Sequence, residues 1–240
     1  MFIKNKIQNT MKTTLLKIVA TIGISLLTLI AVNLNAQPTI PDVTGVKRVE
    51  LSLACKVTLI QADKASVTIT GDNDALEDVK VRLRGDRLEI YNDKHHQHKD
   101  DVSITITLPD LKELSLSGVV DISTPKLTKY DELEVDVSGV ANLDLNINTQ
   151  KFKLDASGVL SGAIVGETEN LNIEISGVGK IDASEFKAEN CKVDVSGVAR
   201  ASVYAVERLD ASVSGMGKIR YAGRPIISRD CSGFGSISSL

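Results

Sequence analysis

The sequence predicts an all-β fold, a right-handed parallel β-helix (β-solenoid) with a less regular β-rich part ahead of it, and three observations carry that prediction. The dipeptide Ser-Gly, preceded by an alternating apolar run, returns seven times between residues 117 and 233, at steps of 18 to 21 residues, and self-similarity near a period of 20 marks stacked repeats. Each Ser-Gly follows apolar residues spaced two apart, as Leu171, Ile173 and Ile175 precede Ser176, which puts one face of a strand inside. Corners at a fixed phase make every coil a strand-crossover-strand unit, and such units are right-handed.

Residues 1–36 read as a signal peptide. Lys4, Lys6, Lys12 and Lys17 precede an uncharged apolar run from Ile18 to Val32, and Asn35-Ala36 offers a small-residue cleavage site. The run of about 15 residues is shorter than the ~20 that span a bilayer, so no transmembrane segment is expected after cleavage. Met11 is a second candidate start. The protein is expected in the periplasm, on the outer surface or secreted.

Removing those four lysines leaves 24 basic against 31 acidic residues, a net charge of −7. A nucleic-acid partner would need a clustered basic excess and is not expected. Cys55, Cys191 and Cys231 are too few and too scattered for a disulfide framework, and no Cys-x-x-Cys occurs.

Residues 37–110 form the less regular β-rich part. Runs at 49–53, 57–60, 66–70, 79–83, 87–91 and 102–108 alternate or are β-branched. Arg84-Gly85-Asp86 joins two of them as a turn; the same tripeptide serves as an integrin ligand in some adhesive proteins. The loop 93–101 holds His95, His96 and His98 among carboxylates, a candidate metal site by residue type, although a segment with no apolar residue has nothing to fix ligand geometry.

Residues 111–240 form the repeat part, with seven coils of about 19 residues. Its corners are Ser117-Gly118, Ser138-Gly139, Ser157-Gly158, Ser176-Gly177, Ser196-Gly197, Ser214-Gly215 and Ser232-Gly233. A glycine in every corner is explained by positive φ, and a serine repeated seven times is a corner residue that bonds backbone, not seven nucleophiles. A second short strand follows each corner, with Ile122, Leu143, Ile181, Ile219 and Ile237 five residues past the Ser. A variable corner then absorbs the length differences. Arg229 falls in an apolar column, which makes the last coil a terminal cap. Cys191 and Cys231 lie two coils apart, about 9 to 10 Å, beyond disulfide reach, and are expected to be buried free thiols.

One outward column offers chemistry. Two residues before the Ser stand Asp136, Asp155, Glu174 and Asp194, stacked about 4.8 Å apart. Such a ladder is a candidate binding face for a cation or partner; paired carboxylates also serve glycosidases. Lys153 and Lys192 stand beside it. Aromatics are 3% with no Trp, and there is no Gly-x-Ser-x-Gly, phosphate-binding Gly loop or His-Glu-x-x-His. No catalytic residue and no cofactor are therefore expected.

From Gly45-Val-Lys-Arg-Val-Glu-Leu51, through Thr105-Ile-Thr-Leu-Pro-Asp-Leu-Lys-Glu-Leu-Ser-Leu-Ser-Gly118, to Ser214-Gly-Met-Gly-Lys-Ile219 and Cys231-Ser-Gly-Phe-Gly-Ser-Ile237, the chain resembles the bacterial family of putative auto-transporter adhesins, head GIN domain. That resemblance implies an exported β-helix-like domain and carries no catalytic residues with it. The expectation is an exported, non-enzymatic β-solenoid that presents an extended surface to a polysaccharide or an envelope protein. A polysaccharide-active enzyme using the stacked carboxylates is the alternative, and a structural or oligomerising envelope protein, marked by an apolar patch on an outer face, is the third.

Overall fold

The structure, a computed structural model, describes residues 38–93 and 102–240. The expected signal segment and the three histidines lie outside the described residues. Alternation of apolar and polar side chains drives the architecture: inward residues collapse into one core, and backbone groups pair from coil to coil.

The chain enters through β1 (Arg48–Ser52), turns at Leu53 and leaves through β2 (Ala54–Gln61). Then come β3 (Ser66–Thr70), a five-residue helix α1 (Asn73–Glu77), β4 (Val79–Arg84), β5 (Arg87–Asn92) and β6 (Ser103–Leu108). The first Ser-Gly corner lies between β7 (Glu113–Leu116) and β8 (Val119–Ser123). After β9 (Thr128–Val137), four long strands carry the stack: β10 (Val140–Ala156), β11 (Val159–Ile175), β12 (Val178–Val195) and β13 (Val198–Val213). Each is the exit half of one coil and the entry half of the next. β14 (Lys218–Ala222), β15 (Ile226–Cys231) and β16 (Ser236–Ser239) complete the far end.

All coil-to-coil pairing from β7 to β16 is parallel, and the strands flanking the Ser-Gly corners hold one register; Leu154 pairs with Val135 on one side and Ile173 on the other. The columns one, three and five residues before the Ser are buried through the middle of the stack, as in Leu171, Ile173 and Ile175. Ile122, Leu143, Ile181 and Ile219 close the core from the exit side. Length differences are absorbed by bulges in the far bend, at Ala163/Val165 and Ala183/Lys187.

Stack order differs from chain order at the N-terminal end. β1 lies between β5 and β7, and β2 between β6 and β8, all parallel. The Ser52-Leu53 corner therefore sits against Ser117-Gly118, with the two Ser Oγ atoms 2.7 Å apart. Outermost, β3 and β4 pair antiparallel with β6 and β5, and Ala75 and Leu76 of α1 are buried in the core cluster. This helix had no counterpart in the strand pattern of the sequence.

Two expectations need correction. None of the seven corner glycines has positive φ; that conformation occurs at Gly45, Gly85, Gly162, Gly166 and Gly223. The corner needs glycine because coils touch there: an added Cβ on Gly139 would lie 2.1 Å from Gly118 O, and on Gly158, 2.0 Å from Gly139 O. The corner backbone continues the ladder, Val159 N donating to Gly139 O at 2.9 Å. The second correction is Cys231, which is free but exposed, whereas Cys55 and Cys191 are free and buried. Cys231 belongs to the last described coil, and no coil among the described residues covers it.

Candidate binding face

The entry strands of successive coils make one face, and its outward rows follow from strand period and register. Asp136 pairs with Asp155, Asp155 with Glu174, and Glu174 with Asp194. The predicted column thus stands as one ladder, continued by Ser115 and Ser212 at either end.

Lysines on the neighbouring row neutralise much of it. Lys153 Nζ lies 2.7 Å from both Glu134 Oε1 and Asp155 Oδ2, and Lys192 Nζ 3.0 Å from Asp194 Oδ2. Hydrogen bonds to Asp155 and Glu134 push the Lys153 ammonium pKa up, and the bond to Asp194 does the same for Lys192. Burial, then the charges of Glu134 and Asp155, raise the pKa of Asp136 as well, with Lys153 opposing, and for an acid that favours the neutral form.

Carboxylate oxygens of Glu134, Asp136 and Asp155 lie within 4.8 Å of one another. An ammonium bridging two of the three already supplies the positive charge that such a cluster calls for.

Beside the ladder runs a groove of about 890 Å³. Its floor is the apolar column five residues before the Ser, Leu133, Phe152, Leu171 and Cys191. One wall carries Glu132, Lys151, Asn170, Asn190 and Arg208, the other Glu134, Lys153, Asn172, Lys192 and Asp210. Register makes each wall a straight row, since Lys151 pairs with Asn170 and Asn170 with Asn190. Asn190 Nδ2 donates to Asn170 Oδ1 at 3.4 Å, while Asn172 Oδ1 is buried without a hydrogen-bond partner. The predicted ladder borders the groove without lining it. Alternation alone marked these wall positions as water-facing; that they flank a depression is a matter of side-chain packing across coils.

The Arg84-Gly85-Asp86 segment is the β4–β5 turn, with Gly85 at φ +63°. Asp86 is held within the chain, its Oδ1 accepting from Arg48 Nε at 3.0 Å and from Arg48 Nη2, and those bonds lower its pKa.

The corner edge shows a feature that strand alternation did not reveal. The residue after each corner glycine, Val119, Val140, Val159, Val178, Val198, Met216 or Phe234, points outward and is 45 to 95% exposed. These side chains form a continuous apolar ridge.

Residues 46–225 match the family described as "Putative auto-transporter adhesin, head GIN domain". No curated protein matches the chain. Among solved structures, a putative adhesin from Bacteroides fragilis is similar at 26% identity and TM-score 0.78, covering 83% of this chain and 94% of its own. A putative adhesin from Parabacteroides distasonis shares the fold at 20% identity and TM-score 0.64, over 83% of this chain and 94% of its own. A putative lipid binding protein from the same species shares it at 24% identity and TM-score 0.58, over 82% of this chain and 93% of its own.

Proposed function

Because the chain belongs to the bacterial family of putative auto-transporter adhesins, head GIN domain, we propose that it is an exported, non-enzymatic β-solenoid that binds an extended polysaccharide along the entry-face groove. The observation behind this reading is the groove itself, which crosses at least four coils and repeats polar groups at the coil spacing. Asparagine amides offer both donors and acceptors, as hydroxyl-rich polymers require. The walls carry both signs of charge, with Lys151 and Arg208 in no ion pair among the described residues. With so few aromatics, recognition rests on hydrogen bonding along a line of weak subsites, whose effects multiply along a polymer.

Export is supported by the N-terminal lysines and apolar run and by the adhesin family. No helix among the described residues is long and apolar enough to cross a membrane.

The catalytic alternative has one observation in its favour, the raised pKa of Asp136. A proton donor acts from inside the site that holds its substrate, and Asp136 is absent from the groove lining. Binding without cleavage is the better reading.

A glycan array probed with the purified protein tests it. Binding to a polysaccharide that falls at least tenfold in Asn170→Ala/Asn172→Ala, with thermal stability kept, supports the groove. Binding unaffected by those changes overturns it, and release of shorter sugars would restore the enzyme. Capture of an envelope protein instead would replace the ligand class.

A further inference from the structure

The exit strands make a second face, on the far side of the core from the groove, and its charges are arranged differently. Four residues past the corner Ser, one outward row holds Lys180, Arg200 and Lys218. Register stacks them, Lys180 pairing with Arg200 and Arg200 with Lys218. Arg220 stands in the next outward row, two residues beyond Lys218. All four are exposed and in no ion pair among the described residues, whereas Lys153 and Lys192 of the entry face are bonded to carboxylates.

Cations stacked about 4.8 Å apart repel one another, and this run occurs in a chain with 31 acidic and 28 basic residues. Over the same three coils these two rows hold one carboxylate, Asp182. Its Oδ1 accepts from Ser184 Oγ at 2.6 Å and from Ser184 N at 3.1 Å. Those bonds, ahead of the charges of Lys180 and Arg220, lower its pKa. Toward the N-terminal end the basic row passes through Ser161 and Asn142 to Asp121, with Asp144 in the row beside it. Beyond Lys218 stands Ser236.

That distribution selects the occupant. A broad acidic surface such as an anionic bilayer would cover Asp121, Asp144 and Asp182 along with the cations and be repelled by them. A lone small anion would meet open, solvated charges, each worth little by itself. A thin linear polyanion can follow the row, avoid the acids and sum its contacts. From Lys180 to Lys218 the run is about 10 Å long, far short of the basic stripe that nucleic acid calls for.

We propose that this row is a second binding site, which takes an acidic polysaccharide running along the solenoid axis with its anionic groups on Lys180, Arg200 and Lys218. Arg200, in the middle, offers a planar fork that fits two oxygens of one acid group. The lysines on either side act as point charges for the neighbouring groups. The site differs from the groove in place and in the charge of its ligand, so it stands whether or not the groove holds a glycan.

Fluorescence anisotropy of labelled polygalacturonate with the purified protein at low salt tests the proposal. Binding is expected, and the triple change Lys180→Gln/Arg200→Gln/Lys218→Gln should weaken it at least tenfold with the melting temperature kept. The slope of log affinity against log salt should shrink by about 2, the counterion release of three charges. Ser161→Lys lengthens the row by one coil and should tighten binding about two- to fivefold, the worth of one exposed ion pair. That variant decides the matter if the triple change unfolds the chain. Lys151→Gln/Arg208→Gln and Asn170→Ala/Asn172→Ala, both in the groove, should leave polygalacturonate binding unchanged, so the two sites fail separately. No binding, binding indifferent to the triple change, unchanged affinity in Ser161→Lys, or loss through the groove variants overturns the proposal. Equal or tighter binding of duplex DNA or of phosphatidylglycerol vesicles through the same three residues overturns it in favour of that occupant.

Discussion

An added Cβ on Gly177 would stand 1.9 Å from the carbonyl oxygen of Gly158, one coil away. Real Cβ atoms do not come that close to backbone, so the two coils would have to part at the corner. Gly177→Ala should cost about 1 to 3 kcal/mol, the range for overpacking. Gly85 is the control: its φ of +63° strains any side chain, but nothing lies within 4 Å of its Cβ position. Gly85→Ala should cost only about 1 kcal/mol. Urea midpoints of the two variants check this; equal losses would mean that close approach is not what the corner glycines serve.

Lys153 holds Glu134 and Asp155 together at the surface. A double-mutant cycle with Lys153→Met and Glu134→Gln should return a coupling of about 0.5 to 1 kcal/mol, typical of a half-exposed pair. The coupling should fade with added salt. A coupling indistinguishable from zero at low ionic strength would show that the bridge contributes nothing.

Asp136 has a raised folded-state pKa, chiefly from burial. The native state then binds the proton more tightly than the unfolded chain, so the Asp136 contribution falls as pH climbs from its unfolded pKa through its folded one. Asp136→Asn should therefore be at least as stable as the parent at pH 7 and lose that advantage at pH 3. Urea unfolding at the two pH values measures the difference; a variant destabilised only at pH 7 would reverse the assigned sign.

Arg229 crosses from the last entry strand to Tyr221, with Cζ 5.4 Å from the ring centre and Nη2 donating to Oη at 2.5 Å. These two side chains lie at the end of the stack where, among the described residues, no strand pairs beyond β15 on the entry face. Arg229→Ala should speed amide exchange in residues 226–239 while leaving β10 to β12 protected, because repeat arrays open from their ends. Uniformly faster exchange would show that the end is coupled to the whole stack.

Burial pushes the Cys55 and Cys191 thiols up to about 12, and the thiolate is the reactive form. Near neutral pH, maleimide should label Cys231 alone in the native protein and all three cysteines after denaturation. Rapid native labelling of Cys191 would mean that the groove floor opens.

Sequence alone carried the stack from residue 111 onward, because a parallel coil repeats one pattern of inward and outward residues and one chemical need per corner. It yielded the inward columns, the carboxylate ladder and the free thiol at Cys191, all of which depend only on strand period and coil register. The place of β1 and β2 between later strands was not written there, since stack order departs from chain order and Leu53 lacks the glycine mark. Nor was the reason for the corner glycines: local geometry suggested φ, whereas the constraint is the carbonyl of the coil below, as Gly177 and Gly158 show. The groove over Leu171 and Cys191 and the outward turn of Val178 likewise belong to tertiary structure. Periodicity tells which residues leave the core, but only the packing of neighbouring coils decides whether they line a depression or crown an edge.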